Sequence, residues 1–166
     1  MGLGLRESVA FLTAVTASRD LLQPHRFYFP NRPQLVLDGN ILSSYYRGVW
    51  EIEGTDEFSD WYASLPPDRR AQIDARVDEL ADKGPMLRRP IVGEISSSRI
   101  HNMKELRASS GPAQLRVLFV FDPARTAILL LGGNKAEGSA WNSWYSVAIP
   151  HAEDVYAEYL RETGQE

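Results

Sequence analysis

Three runs close together in the chain decide its fold: Ser98–Arg107 (SRIHNMKELR), Pro112–Phe121 (PAQLRVLFVF) and Thr126–Lys135 (TAILLLGGNK). In an extended backbone successive side chains point to opposite faces. Met103, Glu105 and Arg107 therefore share one face, and Lys104 and Leu106 the other. Leu115–Phe121 is apolar at nearly every position, the pattern of a central strand covered on both faces, and Ala127–Leu131 repeats it. Arg116 is the exception. A cation at the start of such a strand is expected at its solvent-reaching end, since burial without a partner is costly. Ser109-Ser110-Gly111-Pro112 and Asp122-Pro123-Ala124-Arg125 supply turn chemistry between the runs. Gly132-Gly133-Asn134-Lys135 is expected to end the third run in flexible backbone.

Working upstream, Val49–Ile52 reads as a short strand. Thr55 is an N-cap, with Asp56 and Glu57 where negative charge meets the helix dipole. Phe58, Trp61, Tyr62 and Leu65 then fall on one helical stripe, which Pro66-Pro67 ends. Pro67 can open a second helix whose buried stripe is Ile73, Val77, Leu80 and Ala81, and Gly84-Pro85 stops it. The two helices form a helical hairpin. The connector that follows holds a possible short strand at Ile91–Ile95. Downstream, Trp141–Glu162 reads as helical with Val155, Tyr156, Tyr159 and Leu160 apolar, and Pro150 is expected to kink or divide it. Residues 1–48 hold Pro24, Pro30 and Pro33 and no clean periodicity. They are expected to be a partly ordered N-terminal extension to a domain spanning 49–166.

The 166 residues suffice for one domain with a real core plus an appendage. There is no cysteine, which excludes a disulfide framework and thiolate zinc sites and fits a cytoplasmic setting. No apolar run has the roughly 18 residues a membrane helix needs. The N-terminal patch VAFLTAV is too weak to make a secretory signal the expectation. The net charge of −4 argues against a general polyanion binder, but the charge is unevenly placed. Residues 83–135 carry +6, whereas 1–82 and 136–166 each carry −5. A basic centre between acidic flanks can focus an anion on one face.

No phosphate-binding loop, zinc-protease motif, nucleophile elbow or dinucleotide fingerprint is present. Gly132-Gly133 reads better as a strand-to-loop turn than as a phosphate cradle. His25, His101 and His151 have no metal-ligand spacing, so neither metal nor cofactor is expected. His101, beside the cationic strand, is a candidate proton shuttle and equally a plain surface histidine. Glu105 and Arg107 could be a local ion pair on a solvated edge, worth about 0–1 kcal/mol. The sharper reading adds Arg116. If the two arginine-bearing strands are neighbours, their guanidinium groups converge on an anion. RNA cleavage by internal attack of a 2′-hydroxyl builds negative charge on phosphoryl oxygens, and fixed cations stabilise it. Lys104 among other cations could move a proton, and Trp144 and Tyr145 could stack an unpaired base.

The chain also resembles the RelE/ParE superfamily of toxins, in its HigB-like, phage-derived branch. The features that carry the resemblance are ordered along Val49–Leu160. They are the helical hairpin ending in Lys83-Gly84-Pro85, then Ser98-Arg99, Asn102–Arg107 (NMKELR), Arg116–Pro123 (RVLFVFDP), Ala127–Leu131 (AILLL), Gly133-Asn134-Lys135 and Trp144-Tyr145. The resemblance implies an α+β fold: an N-terminal strand and helical hairpin packed on a small, mainly antiparallel twisted sheet, with a C-terminal helix. It implies the toxin of a type II toxin–antitoxin system, cleaving mRNA in the ribosome as an endoribonuclease and neutralised by a small, often helix-turn-helix, antitoxin. Arg107 and Arg116 match the arginines of the family's central strands, Lys135 a basic position after the last strand, and Tyr145 a late tyrosine. The catalytic candidates are thus Arg107, Arg116, Lys135, Lys104 and His101. The RNA-binding candidates are Arg99, Glu105, Asn134, Trp144 and Tyr145. Glu105 and Met103 stand where certain members carry lysine, so the chain is poorer in general bases. The alternatives are a ParE-like toxin that binds DNA gyrase without nuclease chemistry, and a decayed prophage protein.

Overall fold

In a computed structural model the described residues are 50–136 and 143–165. The expected N-terminal extension and the first residues of the closing helical stretch lie outside them. Five strands, β1 (Glu51–Gly54), β2 (Val92–Glu94), β3 (Lys104–Ser110), β4 (Ala113–Phe121) and β5 (Thr126–Asn134), form one sheet in the order β1-β5-β4-β3-β2. β1 pairs with β5 in parallel, and every other pair is antiparallel. The helices are α1 (Asp56–Ser64), α2 (Pro67–Lys83) and α3 (Ser143–Thr163). This is the α+β arrangement expected from the sequence.

Local chemistry explains the element ends. Thr55 Oγ1 accepts a hydrogen bond from Phe58 N at 3.3 Å and donates to the Leu130 carbonyl at 2.7 Å, so one hydroxyl caps α1 and ties it to β5. Tyr62 donates to Asp74 at 2.5 Å, joining α1 to α2. The first strand begins at Glu51, two residues later than its expected start. β3 and β4 run further toward each other than the turn residues suggested, leaving a two-residue hairpin at Gly111-Pro112. Gly111 has φ +55, the left-handed value that such a tight turn requires at its first central position. Pro150 does not divide α3. It is exposed, as is Ser146 one turn earlier, so the carbonyl left without an N–H faces solvent.

The sheet has a core on each face. The helical hairpin covers one with Phe58, Ile73, Val77 and Leu80 against Leu106, Leu115, Val117, Phe119 and Leu129. α3 covers the other with Ala152, Val155 and Tyr159 against Met103, Leu118, Val120, Ile128 and Leu130. Between β4 and β5 the register shifts: Leu118 pairs with Leu131 but Phe119 with Leu129, so Leu130 is an extra residue. This bulge reverses the alternation beyond it. Gly132 therefore faces the hairpin and Gly133 faces α3. A Cβ on Gly132 would stand 1.9 Å from the Trp61 ring, and one on Gly133 2.3 Å from Trp144 Nε1. The glycine pair expected to end the strand instead lies within it, where an indole closes on the backbone from each side.

Candidate functional site

On the α3 side, one row of residues crosses the sheet. Arg107 of β3 is the direct partner of Arg116 on β4, and Arg116 is the partner of Gly133 on β5. Two like charges directly opposite on one face repel. Glu105, two residues before Arg107 on the same face, resolves the conflict. Its carboxylate accepts from Arg107 Nε at 2.8 Å and Nη2 at 2.5 Å, and lies 3.5 Å from Arg116 Nε. Tyr145, in the first turn of α3, donates its phenol proton to the other oxygen at 2.5 Å. Lys135 follows β5, and its ammonium sits 4.8 Å from the centre of the Tyr145 ring. Trp144 meets Tyr145 edge to face with ring centres 5.0 Å apart and roofs Gly133. Gly93 of edge strand β2 is the floor under Arg107, whose Nη2 would stand 2.7 Å from a Cβ placed there.

Two expectations change here. Arg116 does not sit at a solvent-reaching end: it is 8% exposed. Its Nη1 donates to the Leu115 carbonyl at 2.8 Å, while its Nε makes no hydrogen bond among the described residues. Nor is the Glu105–Arg107 pair on a solvated edge. Glu105 is 3% exposed, and its oxygens are already engaged by Arg107 and Tyr145, so it acts as the resident counter-charge of the cations. Burial, together with the hydrogen bond to Glu105 and its charge, pushes the Tyr145 phenol up to about 12, against the opposing pull of Arg116. At neutral pH Tyr145 is a proton donor.

The other candidates lie elsewhere. Lys104 points to the hairpin face and is 3.4 Å from Glu94. His101 is exposed in the connection before β3. Arg99 is held by Glu153 of α3, which accepts from the Arg99 backbone N–H at 2.7 Å and its Nε at 2.6 Å, and from Ser98 Oγ at 2.9 Å. Desolvation raises the Glu153 carboxyl, but these bonds outweigh it and hold the group below the usual carboxylate range. Asn134 is occupied by the backbone, its Oδ1 accepting from Gln114 N and Ala136 N. The cluster therefore gathers Arg107, Arg116, Glu105, Lys135, Trp144 and Tyr145, and leaves Lys104, His101 and Arg99 at the far end of β3. Sequence reasoning missed Gly93 and the role of Gly133. Gly133 was visible only as one half of a glycine pair whose facing the bulge decides. Among the described residues no group of histidines and carboxylates is placed to hold a metal ion, and no helix is long and apolar enough to cross a membrane.

Residues 60–157 match the family model described as phage derived protein Gp49-like (DUF891). A Mycobacterium tuberculosis protein carrying the toxin name HigB3 is 46% identical over 100 residues, covering 60% of this chain and 84% of that protein. Another from the same organism, carrying the toxin name HigB2, is 41% identical over 106 residues, or 63% of this chain and 52% of that one. Among solved structures, a mutant of the E. coli toxin RelE in the free state aligns with TM-score 0.45 and 13% identity over 61% of this chain and 96% of that one. The archaeal RelE–RelB complex of Pyrococcus horikoshii aligns with TM-score 0.42 and 15% identity over 54% and 99%. The family match spans more than half of the chain, and the first relative is nearly half identical over most of its own length: the chain belongs to the phage-derived Gp49-like family and is HigB-like within it.

Proposed function

We propose that this protein is the toxin of a type II toxin–antitoxin system and that it cleaves mRNA on the ribosome. The observation that carries the reading is the Arg107–Arg116 pair, side by side on neighbouring strands with Lys135 close by and, among the described residues, one carboxylate, Glu105, between the two arginines. Arg107 and Arg116 share that carboxylate, which leaves an excess of positive charge for a phosphate. The toxin names of the relatives agree with it.

In this reading the RNA 2′-oxygen attacks its own phosphorus while the bond to the 5′-oxygen breaks. Arg107, with its side chain 29% exposed, swings from Glu105 to a phosphoryl oxygen, and Arg116 meets that oxygen from below. The 2′-hydroxyl proton passes to water, and Lys135 or Tyr145 gives a proton to the departing 5′-oxygen. Trp144, half-exposed beside them, offers a face to an unpaired base. A small antitoxin neutralises the protein in the cell, which places it in the cytoplasm with ribosome and mRNA as its other partners.

Induced expression tests this directly. Wild-type protein is expected to arrest growth and to give transcript ends within codons. Arg107→Ala, with its fold verified by circular dichroism, is expected to lower cleavage by about 10²–10³, the usual effect of removing one charge-stabilising donor. Intact transcripts together with double-strand DNA breaks would support gyrase poisoning instead, and growth without arrest would support a decayed protein.

A further inference from the structure

Arg88, Arg89 and Lys104 lie together outside the cluster. Two clefts meet where β2 passes into β3. One, of about 650 Å³, lies on the hairpin side and includes Arg88, Arg89, Lys104 and Phe121 in its walls. The other, of about 510 Å³, follows the β2–β3 connection past His101. Glu94, Asn102 and Lys104 border both, so the two clefts adjoin, and together they are termed the groove. Glu94 is the lone carboxylate among the described residues that line it, and its side chain is 86% exposed. The Lys104 side chain is 17% exposed, so this half-covered pair offsets its charge only in part.

Arg88 and Arg89 are exposed, and their guanidinium groups make no ion pair among the described residues. Their backbone is nonetheless fixed. The Arg88 carbonyl accepts from Ile91 N and Val92 N, both at 3.1 Å, and Leu87 and Val92 on either side are buried. Two unpaired guanidinium groups thus stand on a rigid turn beside an apolar floor that includes Phe121, itself wedged against Trp50 with ring centres 4.7 Å apart. Structural arginines find carboxylate partners, as Arg99 does with Glu153. Unpaired arginines interleaved with an aromatic floor are the composition of a single-strand track.

The position of the groove names the occupant. Lys104 is three residues from Arg107, about 10 Å along β3, and on the opposite face. A chain held at Arg107 and Arg116 reaches the groove by crossing the sheet edge at β2. That edge strand is three residues long, and Gly93 at its middle presents no side chain on the α3 face. We propose that the groove binds the sugar-phosphate backbone of single-stranded RNA to one side of the nucleotide held at Arg107 and Arg116. The assignment rests on the RNA-cleavage reading, yet it can be tested without cleavage.

The test uses the full chain and a labelled 2′-O-methyl oligouridylate, which has no attacking hydroxyl, with binding followed by anisotropy over a salt series. For a single strand each phosphate contact adds about 0.7 to the slope of log affinity on log salt. The double substitution Arg88→Gln/Arg89→Gln is expected to flatten the slope by about 1.4 and to weaken binding on the order of tenfold near 0.1 M salt. Arg161→Gln, at the far end of α3, is expected to change neither. Unchanged slope and affinity in the double variant would overturn the proposal, as would failure of the wild-type protein to bind the oligomer. So would a double variant that keeps RNA but loses an acidic peptide. Failure of the cleavage reading shows separately, as intact transcripts in cells expressing a protein that binds the oligomer normally.

Discussion

The two faces of the sheet are built from the same strands and do opposite work. Two helices close the hairpin face, and its core is apolar from Phe58 through Leu80 to Leu129. One helix closes the other face, and α3 begins there with Trp144 and Tyr145 over a row holding two arginines and a glutamate. Where two helices seal the centre of a face, a charge there has no route to water; among the described residues none is found at that centre, and Lys104 reaches the face only at its β2 edge. Where one helix begins above the sheet, Arg107 keeps partial access to solvent and a buried arginine behind it can be balanced by a buried carboxylate. The charged cluster is a consequence of incomplete cover, which is why the candidate chemistry is on this face alone.

The largest break in that contrast is at Glu105. Glu105→Ala leaves Arg116 buried at 8% exposure without its counter-charge and strands Tyr145's proton donor. Removing one partner of a buried pair typically costs 3–5 kcal/mol, so denaturant unfolding of this variant is expected to show a loss of about that size. Glu105→Leu together with Arg116→Met, which makes the face as apolar as its opposite, is expected to regain most of it. A double variant no more stable than Glu105→Ala would mean that the charges are not what the two faces differ by.

The adjacent glycines sharpen the comparison, because one side chain added to each probes a different face. Gly132→Ala drives a methyl into Trp61, which packs on the hairpin core, and is expected to cost about 1–3 kcal/mol through overpacking. Gly133→Ala meets Trp144, half-exposed at the start of α3, which can move aside. There the expected loss is about 1 kcal/mol, with a larger effect on transcript cleavage, because Tyr145 and Lys135 move with the indole. Thermal denaturation and cleavage mapping of the two variants read these out. Equal stability losses, with cleavage unchanged in Gly133→Ala, would show that both faces are equally closed.

How much of this was legible in the sequence depends on distance along the chain. The apolar stripes of α1 and α2, the Thr55 cap and the near-continuous apolar runs of β4 and β5 are local patterns, and the fold follows them closely. Strand alternation alone separates Lys104 from Arg107. Three features needed information from elsewhere. The bulge at Leu130 decides which glycine faces which side, and no residue near it signals an insertion. The burial of Arg116 depends on where α3 starts, 27 residues later. Glu105 was visible as a neighbour of Arg107 at i, i+2, but its service to Arg116 and Tyr145 requires the pairing of β3 with β4 and the docking of α3.

The smallest expected effect isolates the link between α3 and the charged row. Tyr145→Phe removes the phenol proton held by Glu105 while keeping the ring under Lys135. At neutral pH it is expected to cost about 1 kcal/mol, the net worth of one hydrogen bond. The pH dependence is more diagnostic than the size. The folded pKa of this phenol is raised from 10.0 to about 12, so its protonated form stabilises the native state fully below pH 10, and that contribution is lost as pH rises toward 12. The stability gap between wild type and Tyr145→Phe should therefore be flat from neutral pH to about 10 and close above it. Tyr62, also pushed up by burial and Asp74, is present in both proteins and cancels in the difference. A gap that stays constant through pH 11 would mean that Tyr145 does not give its proton to a buried carboxylate, and that α3 meets the charged row through packing alone.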